Sequence, residues 1–344
     1  MSPSSPSKPL RALSAIDVYR AHPLLRSGNL QTIFGALVTG PLPRYSASQQ
    51  VIGLPDGEAL VIHEEQNGPW SEDAPLVVLV HGLGGDHSSP YLRRITARLT
   101  QFPLRIWRID LRGCGAGLDH AYRPAHAGTS HDLASVIAAG QQQFPFSKTV
   151  VAAFSLGGNV LLKLLGELAE GENDLGIDTT RFVRAVAVAP PADLSDCCQN
   201  MERLTRLPYT RYYLKMLGSQ VKMRARRWEE WRAIQPTNRP RTIRDFDRWY
   251  TAPLAGFANT DEYYARSSSA QWLDKIQIPT RLLIDRDDPI VPFGAFDGIT
   301  LSSQISVEVT RLGGHLGYIA TNAYGGIRRW LDDWIVHNVV RELD

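Results

Sequence analysis

The stretch Thr149-Val150-Val151-Ala152-Ala153-Phe154-Ser155-Leu156-Gly157-Gly158-Asn159 reads as a buried strand that turns sharply into a helix. Its first half is a short apolar run rich in β-branched residues, which favours a covered strand. The helix is expected over Asn159 to Glu170. Ser155 stands at the junction. A serine hydroxyl is a weak nucleophile at neutral pH and needs both a base and a backbone that exposes it. A tight strand-to-helix turn supplies the exposure, but only if its neighbours are small. Ala153, Gly157 and Gly158 meet that demand. The bland alternative is a serine that merely caps the helix. The residues downstream decide between the two.

An acid and a histidine follow in the right order. Arg281-Leu282-Leu283-Ile284-Asp285-Arg286-Asp287-Asp288-Pro289 ends a strand in three acids. One of them is expected to fix the tautomer of a catalytic histidine and stabilise its charged form. Asp288 is preferred because it lies in the loop just before a stiffening proline. Asp287 is its rival, and Asp285 sits nearer the strand end. Arg311-Leu312-Gly313-Gly314-His315-Leu316-Gly317 follows the last strand, and two glycines give His315 a free approach to the strand ends. His315 is the expected general base and acid.

Gly-rich turns follow two earlier strands. His81-Gly82-Leu83-Gly84-Gly85-Asp86-His87 lacks the Gly-Lys-Ser/Thr ending of a phosphate-binding loop. It also lacks the spacing of a dinucleotide turn. Its expected task is to present the Leu83 N–H, together with the Leu156 N–H, to a developing oxyanion. His81 is expected to support that loop. In Asp110-Leu111-Arg112-Gly113-Cys114-Gly115, Arg112 is expected to brace loops through its fork of donors, and Cys114 to be a small packed residue. His120, His126 and His131 are spaced too loosely to build a compact metal site on sequence grounds. No metal and no cofactor are expected.

Apolar strands are expected at Leu76 to Val80, Leu104 to Ile109, Thr149 to Ala153, Val183 to Ala189, Thr280 to Ile284 and Ile305 to Thr310. Helical stretches at Tyr91 to Leu99, His131 to Gln142 and Asn159 to Glu170 lie between them. That alternation implies an α/β fold with a mostly parallel sheet covered on both faces. Val51 to Glu64 reads as two strands around Pro55-Asp56-Gly57, and Tyr19 to Leu42 as a short helical or irregular arm.

One block, 193–264, breaks the rhythm with no clear buried strand and is expected to be a helical cap insertion. The core is then 19–192 with 265–344, and 1–18 a flexible leader. Aromatic and methionine residues in the block, among them Tyr213, Met216 and Trp231, suggest an apolar pocket wall, although its own small core accounts for many of them. Lys222 to Trp228 is basic and partly apolar, a pattern that suits an anionic lipid surface. The acids Glu229 and Glu230 point instead to an ordinary solvated helix.

The chain has 344 residues, 43% apolar and 21% charged, with a formal net charge of +2. This gives no global argument for nucleic acid or membrane. Three cysteines, two of them adjacent, do not form a disulfide framework and lean toward a reducing compartment. Met1 to Leu10 has no apolar core for a signal peptide. No apolar run is long enough to span a bilayer. A cytoplasmic location is the expectation, with peripheral membrane contact and oligomeric state left open.

Together these pieces resemble the alpha/beta-hydrolase superfamily, and within it the branch called AB hydrolase family 4. The likeness runs through His22-Pro23, Asn29-Leu30-Gln31-Thr32, His81-Gly82-Leu83-Gly84-Gly85 and Arg112-Gly113-Cys114-Gly115. It continues in His126-Ala127-Gly128, Phe154-Ser155-Leu156-Gly157-Gly158-Asn159, Phe246-Asp247, Tyr263-Tyr264, Asp287-Asp288-Pro289 and Gly313-Gly314-His315-Leu316-Gly317. The resemblance implies a central eight-stranded, mostly parallel sheet with a helical insertion, and places the triad on Ser155, Asp288 and His315. Ala153 departs from the branch's usual glycine. The N-terminal anchor of its animal members has no counterpart here.

The reading that follows is a serine carboxylesterase acting on a small-molecule or lipid-like ester of short or medium acyl chain. A lipase or monoacylglycerol hydrolase, an acyl thioesterase, and a non-catalytic binding protein on the same fold are the alternatives.

Overall fold

Alternate residues of Thr149–Phe154 face opposite sides, as a strand's two-residue period requires. Val151 and Ala153 join one apolar cluster, while Val150, Ala152 and Phe154 join another. In this computed structural model, which describes residues 16–172, 176–234, 236, 239–341 and 343, every residue of the strand is buried.

It is the fifth of eight strands in one sheet. They are β1 (Ala47–Gly53), β2 (Ala59–Glu65), β3 (Leu76–Val80), β4 (Arg105–Asp110), β5 (Thr149–Phe154), β6 (Phe182–Val188), β7 (Thr280–Asp285) and β8 (Ile305–Thr310). The spatial order is β1-β2-β4-β3-β5-β6-β7-β8. β2 is antiparallel to both neighbours, and the strands from β4 across to β8 are parallel. A further short pair, β9 (Ile319–Thr321) and β10 (Ile327–Arg329), forms a separate hairpin.

The first helices in chain order are α1 (Gly28–Leu37), α2 (Pro90–Leu99), α3 (Ser130–Gln143) and α4 (Leu156–Glu170). Six follow between β6 and β7: α5 (Leu194–Glu202), α6 (Leu207–Arg227), α7 (Glu229–Ala233), α8 (Ile243–Phe246), α9 (Ala252–Leu254) and α10 (Thr260–Ser267). The last is α11 (Trp330–Val340). Helices α3 and α4 cover one face of the sheet and α2 and α11 the other, which explains the near-continuous apolar strands. Among the described residues, no strand lies between β6 and β7.

β1 starts earlier than its apolar content suggests. Ser48 and Gln49 are exposed because β1 is an edge strand, so its polar half still pairs with β2. The expected leader lies outside the described residues up to position 15. Residues 16–18 are tied down: Ile16 packs on a core cluster, and Trp330 Nε1 donates to the Asp17 carbonyl at 2.8 Å.

A buried polar knot joins β2, β4 and the loop after β3. The Asp110 carboxylate accepts from His63 Nε2 at 2.9 Å, His87 Nδ1 at 2.9 Å, His87 N–H at 2.7 Å and Ala116 N–H at 2.7 Å. Tyr45 donates to His63 Nδ1 at 2.6 Å, which leaves the proton of that ring on Nε2. Burial alone would raise the Asp110 carboxyl, but the histidine bonds reverse this and hold it below the ordinary carboxylate range. Asp110→Ala orphans four donors at once. It is expected to cost about 3–5 kcal/mol of stability, read as a lowered denaturant midpoint. An unchanged midpoint would show that the knot contributes nothing.

Candidate active site

β5 delivers Ser155 into a turn with φ 51° and ψ −122°, a backbone region that non-glycine residues rarely occupy. The strain is held from both sides. Ser155 N–H donates to the Val188 carbonyl at 2.8 Å, and Asn159 N–H closes on the Ser155 carbonyl at 3.2 Å. Two glycines allow the crowding. A Cβ on Gly157 would lie 2.4 Å from the His81 carbonyl oxygen, and one on Gly82 would lie 2.9 Å from Ser155 Cβ. Ala153, fully buried in β5 beside Ala187 of β6, fits without displacing the turn.

The three side chains separated widely in sequence stand together. His315 Nε2 lies 2.9 Å from Ser155 Oγ. His315 Nδ1 lies 2.8 Å from Asp288 Oδ2. An ionised Asp288 only accepts, so Nδ1 carries the proton and Nε2 is left to accept from the serine hydroxyl. The other Asp288 oxygen accepts from Ile290 N–H at 2.7 Å and Val291 N–H at 3.0 Å, which fixes the carboxylate plane. The rival acids face elsewhere. Asp285 accepts from the Thr310 hydroxyl and from Gly313 and Gly314 N–H, while Asp287 accepts from Leu312 N–H.

The histidine loop is gripped by α1, a contact no sequence pattern announces. Thr32 Oγ1 accepts from His315 N–H at 2.8 Å and donates to the Gly28 carbonyl at 2.7 Å. Gln31 is fully buried; its amide donates to the Leu25 and Ile319 carbonyls and accepts from Ile319 N–H at 2.6 Å. The His315 loop is therefore positioned by residues far from it in sequence.

Leu83 N–H and Leu156 N–H have no hydrogen-bond acceptor among the described residues. Both belong to residues that line the same chamber as Ser155. His81 holds the first of these loops from beneath: its Nδ1 donates to the Gly82 carbonyl at 2.8 Å, and its Nε2 accepts from Leu111 N–H at 3.1 Å. Arg112 forks onto Asp132 at 2.9 and 2.6 Å and reaches Asp56 at 2.7 Å, tying the β1–β2 turn to α3. Cys114 is buried in the chamber wall, and burial pushes its thiol up to about 11.

The chamber, together with the open solvent at its mouth, amounts to about 1160 Å³. Leu156, Leu194, Leu217, Val221, Phe246 and Val291 give it a largely apolar wall. Of the aromatics and methionines expected there, Tyr213 and Trp231 line it, while Met216, Trp228 and Trp249 pack within a helical cluster centred on Leu217, Trp231, Phe246 and Tyr250. Met201, Phe246, Tyr263 and Tyr264 of the same block line it as well, beside leucines, valines and isoleucines from both helices and loops.

Among the described residues, His120, His126 and His131 do not form a group with metal-ligand spacing. The group that does is His63, His87 and Asp110, whose oxygens are already engaged by the four donors above. His126 lines the chamber and accepts from Gly128 N–H at 3.1 Å; burial pushes its ring down to about 3, so it stays neutral. Asn159 is a further positioning residue. Its side chain joins Ala127, Ser267 and Ser269 across the base of the insertion.

Asp247 lines the chamber and accepts from the Tyr264 hydroxyl at 2.7 Å. Burial pushes its carboxyl up to about 6, although hydrogen bonds from Thr251 and Tyr264 pull the other way. The unfolded chain releases this proton near pH 4. The folded protein keeps it until about pH 6, so the stability it confers is complete below pH 4 and lost as pH rises through 6. Asp247→Asn removes the titration. Its stability relative to the wild type is expected to improve by up to about 3 kcal/mol between pH 4 and 8, measured by denaturation at both values. A difference independent of pH would refute this.

Sheet order, the strained serine and its two partners define a class, and the sequence comparison agrees: the chain belongs to the alpha/beta hydrolase family, whose sequence pattern matches residues 77–323. Its sheet is the mostly parallel eight-stranded one of the alpha/beta-hydrolase fold. Among particular relatives, a protein of Escherichia coli (strain K12) provisionally named the esterase YheT is 29% identical over 320 residues, covering 89% of each chain. The monoacylglycerol lipase of Saccharomyces cerevisiae is 26% identical over 272 residues, covering 76% of this chain and 58% of the yeast protein. The solved structure of the Pyrococcus furiosus esterase Pf2001 superposes with a TM-score of 0.53 at 16% identity, covering 87% of this chain and 94% of that one. That likeness is one of fold.

Proposed function

We propose that the protein is a serine carboxylesterase acting on esters of short to medium acyl chain, with 193–264 as a cap over the acyl chamber. The observation that carries the reading is the unbroken contact from Asp288 through His315 to Ser155 beside an apolar chamber. In the first step His315 Nε2 takes the Ser155 proton as Oγ bonds to the ester carbonyl carbon. The carbonyl oxygen becomes an anion, held by the N–H groups of Leu83 and Leu156. Collapse of this intermediate breaks the bond to the alkoxy oxygen, which leaves as alcohol with the proton from His315. Water then gives its proton to His315 and attacks the acyl-serine. The acid departs, and the proton returns to Ser155.

The yeast relative's name and the largely apolar wall of the chamber favour a second reading, a monoacylglycerol hydrolase using the same machinery. A panel of p-nitrophenyl acetate, butyrate, octanoate, laurate and palmitate with a 1-monoacylglycerol separates the two. We expect kcat/KM to be greatest at butyrate to octanoate. A maximum at palmitate or the glyceride would replace the carboxylesterase reading with the lipase one, and faster turnover of acyl-CoA would make it a thioesterase. Absence of all turnover in folded protein, with no labelling by a fluorophosphonate, would leave a binding protein.

A further inference from the structure

Helix α1 is built inside out. Its sequence, GNLQTIFGAL, carries no charge. The polar pair Gln31 and Thr32 faces inward and grips the histidine loop. Leu30, Ile33 and Leu37 fall at helical spacing on the opposite side and face solvent, Leu37 being 75% exposed. A surface helix ordinarily buries its apolar stripe, so this arrangement leaves apolar surface without a partner among the described residues.

Helix α6 adjoins it. The Tyr209 hydroxyl donates to Asn29 Oδ1 of α1 at 2.8 Å. The inner face of α6, including Tyr213, Leu217 and Val221, lines the chamber. Its outer face carries Arg211, Lys215, Lys222 and Arg226, all exposed and making no ion pair among the described residues. Tyr212, 60% exposed, and Met223 stand between them. From Cys197 to Trp228 the chain has eight Lys or Arg residues and one acid, Glu202. Glu229 and Glu230, which suggest an ordinary solvated helix in the sequence, do not belong to α6. That helix ends at Arg227, and the two acids form the first turn of α7, where they offset its N-terminal dipole.

We propose that the outer faces of α1 and α6 form one docking surface for an anionic lipid–water interface. The apolar stripe supplies insertion and the unpaired cations supply attraction, the two ingredients of interfacial helices. The surface has the substrate chamber behind one helix and the histidine loop behind the other. A docked molecule would therefore draw its substrate from the interface. Docking is a binding property and does not depend on the catalytic reading.

The test uses the full chain carrying Ser155→Ala, so that vesicles stay intact, in co-sedimentation with phosphatidylcholine vesicles with and without about one-third phosphatidylglycerol. We expect binding to the anionic vesicles that weakens with salt. Ile33→Ser with Leu37→Ser is expected to reduce it at least tenfold. Lys215→Gln and Lys222→Gln are expected to reduce it roughly fivefold each. In the chain with Ser155 restored, the Ile33/Leu37 variant should hydrolyse dissolved p-nitrophenyl butyrate at the wild-type rate, which reports an intact fold and tests the catalytic reading separately. Equal binding to both vesicle types, no binding to either, or concentration-dependent dimers abolished by Ile33→Ser without vesicle binding would each overturn the proposal.

Discussion

Ser155→Ala is expected to lower kcat for a preferred ester by roughly 10⁶-fold and to abolish fluorophosphonate labelling. The expectation rests on position. Ser155 Oγ is the one atom 2.9 Å from His315 Nε2 in a chamber with two free N–H groups. Under the proposed mechanism, removing Oγ leaves no atom to form the acyl bond, while the Leu83 and Leu156 N–H groups and the chamber remain to give weak residual catalysis. Folding should survive. The Ser155 N–H bond to Val188 and the Asn159 N–H bond to residue 155 are made by backbone atoms that alanine retains. A circular dichroism spectrum and melting temperature close to the wild type would establish that the lost rate is chemical. Retention of turnover would place the nucleophile elsewhere.

Asp288→Asn is expected to lower kcat by about 10⁴-fold, with a much smaller change in KM. Asparagine keeps the volume and still accepts through one oxygen. Its amide can also face His315 Nδ1 as a donor, which shifts the ring proton to Nε2 and leaves nothing to accept from Ser155. The neighbouring acids supply the control. Asp287→Asn touches only the Leu312 N–H bond and is expected to leave kcat within about threefold of the wild type. Asp285→Asn sets an amide against several donors from the 310–314 segment and is expected to act first on stability. A larger loss of rate at either of these than at Asp288 would move the acid.

Much of the architecture is legible in the sequence because the sheet is covered on both faces. Buried parallel strands become unbroken apolar runs, and their spacing survives in a single sequence. Ser155 is legible for a related reason, since the tight turn demands small residues around it. Asp288 and His315 are legible by order and by their loops. The supports are not. Thr32 and Gln31 look like any polar residues on a short helix, and only the fold reveals that they face the loop of His315. His63, His87 and Asp110 come from three separate segments whose meeting depends on strand order. The chamber wall is legible in part. Tyr213, Trp231, Phe246, Tyr263 and Tyr264 line it as the aromatic content of the block suggests, whereas Trp228 and Trp249 pack within the helices.

The clasp between Thr32 and His315 has a consequence for biogenesis. Synthesis proceeds from the N-terminus, so Ser155 and the loops that carry Leu83 and Leu156 emerge well before His315. Even after His315 leaves the ribosome, its loop has to find α1, a segment made far earlier in the chain. A chain in which α1 has not yet met that loop thus carries the Ser155 turn without the clasp on His315. The hold on His315 is complete only when α1 closes on the 313–317 loop.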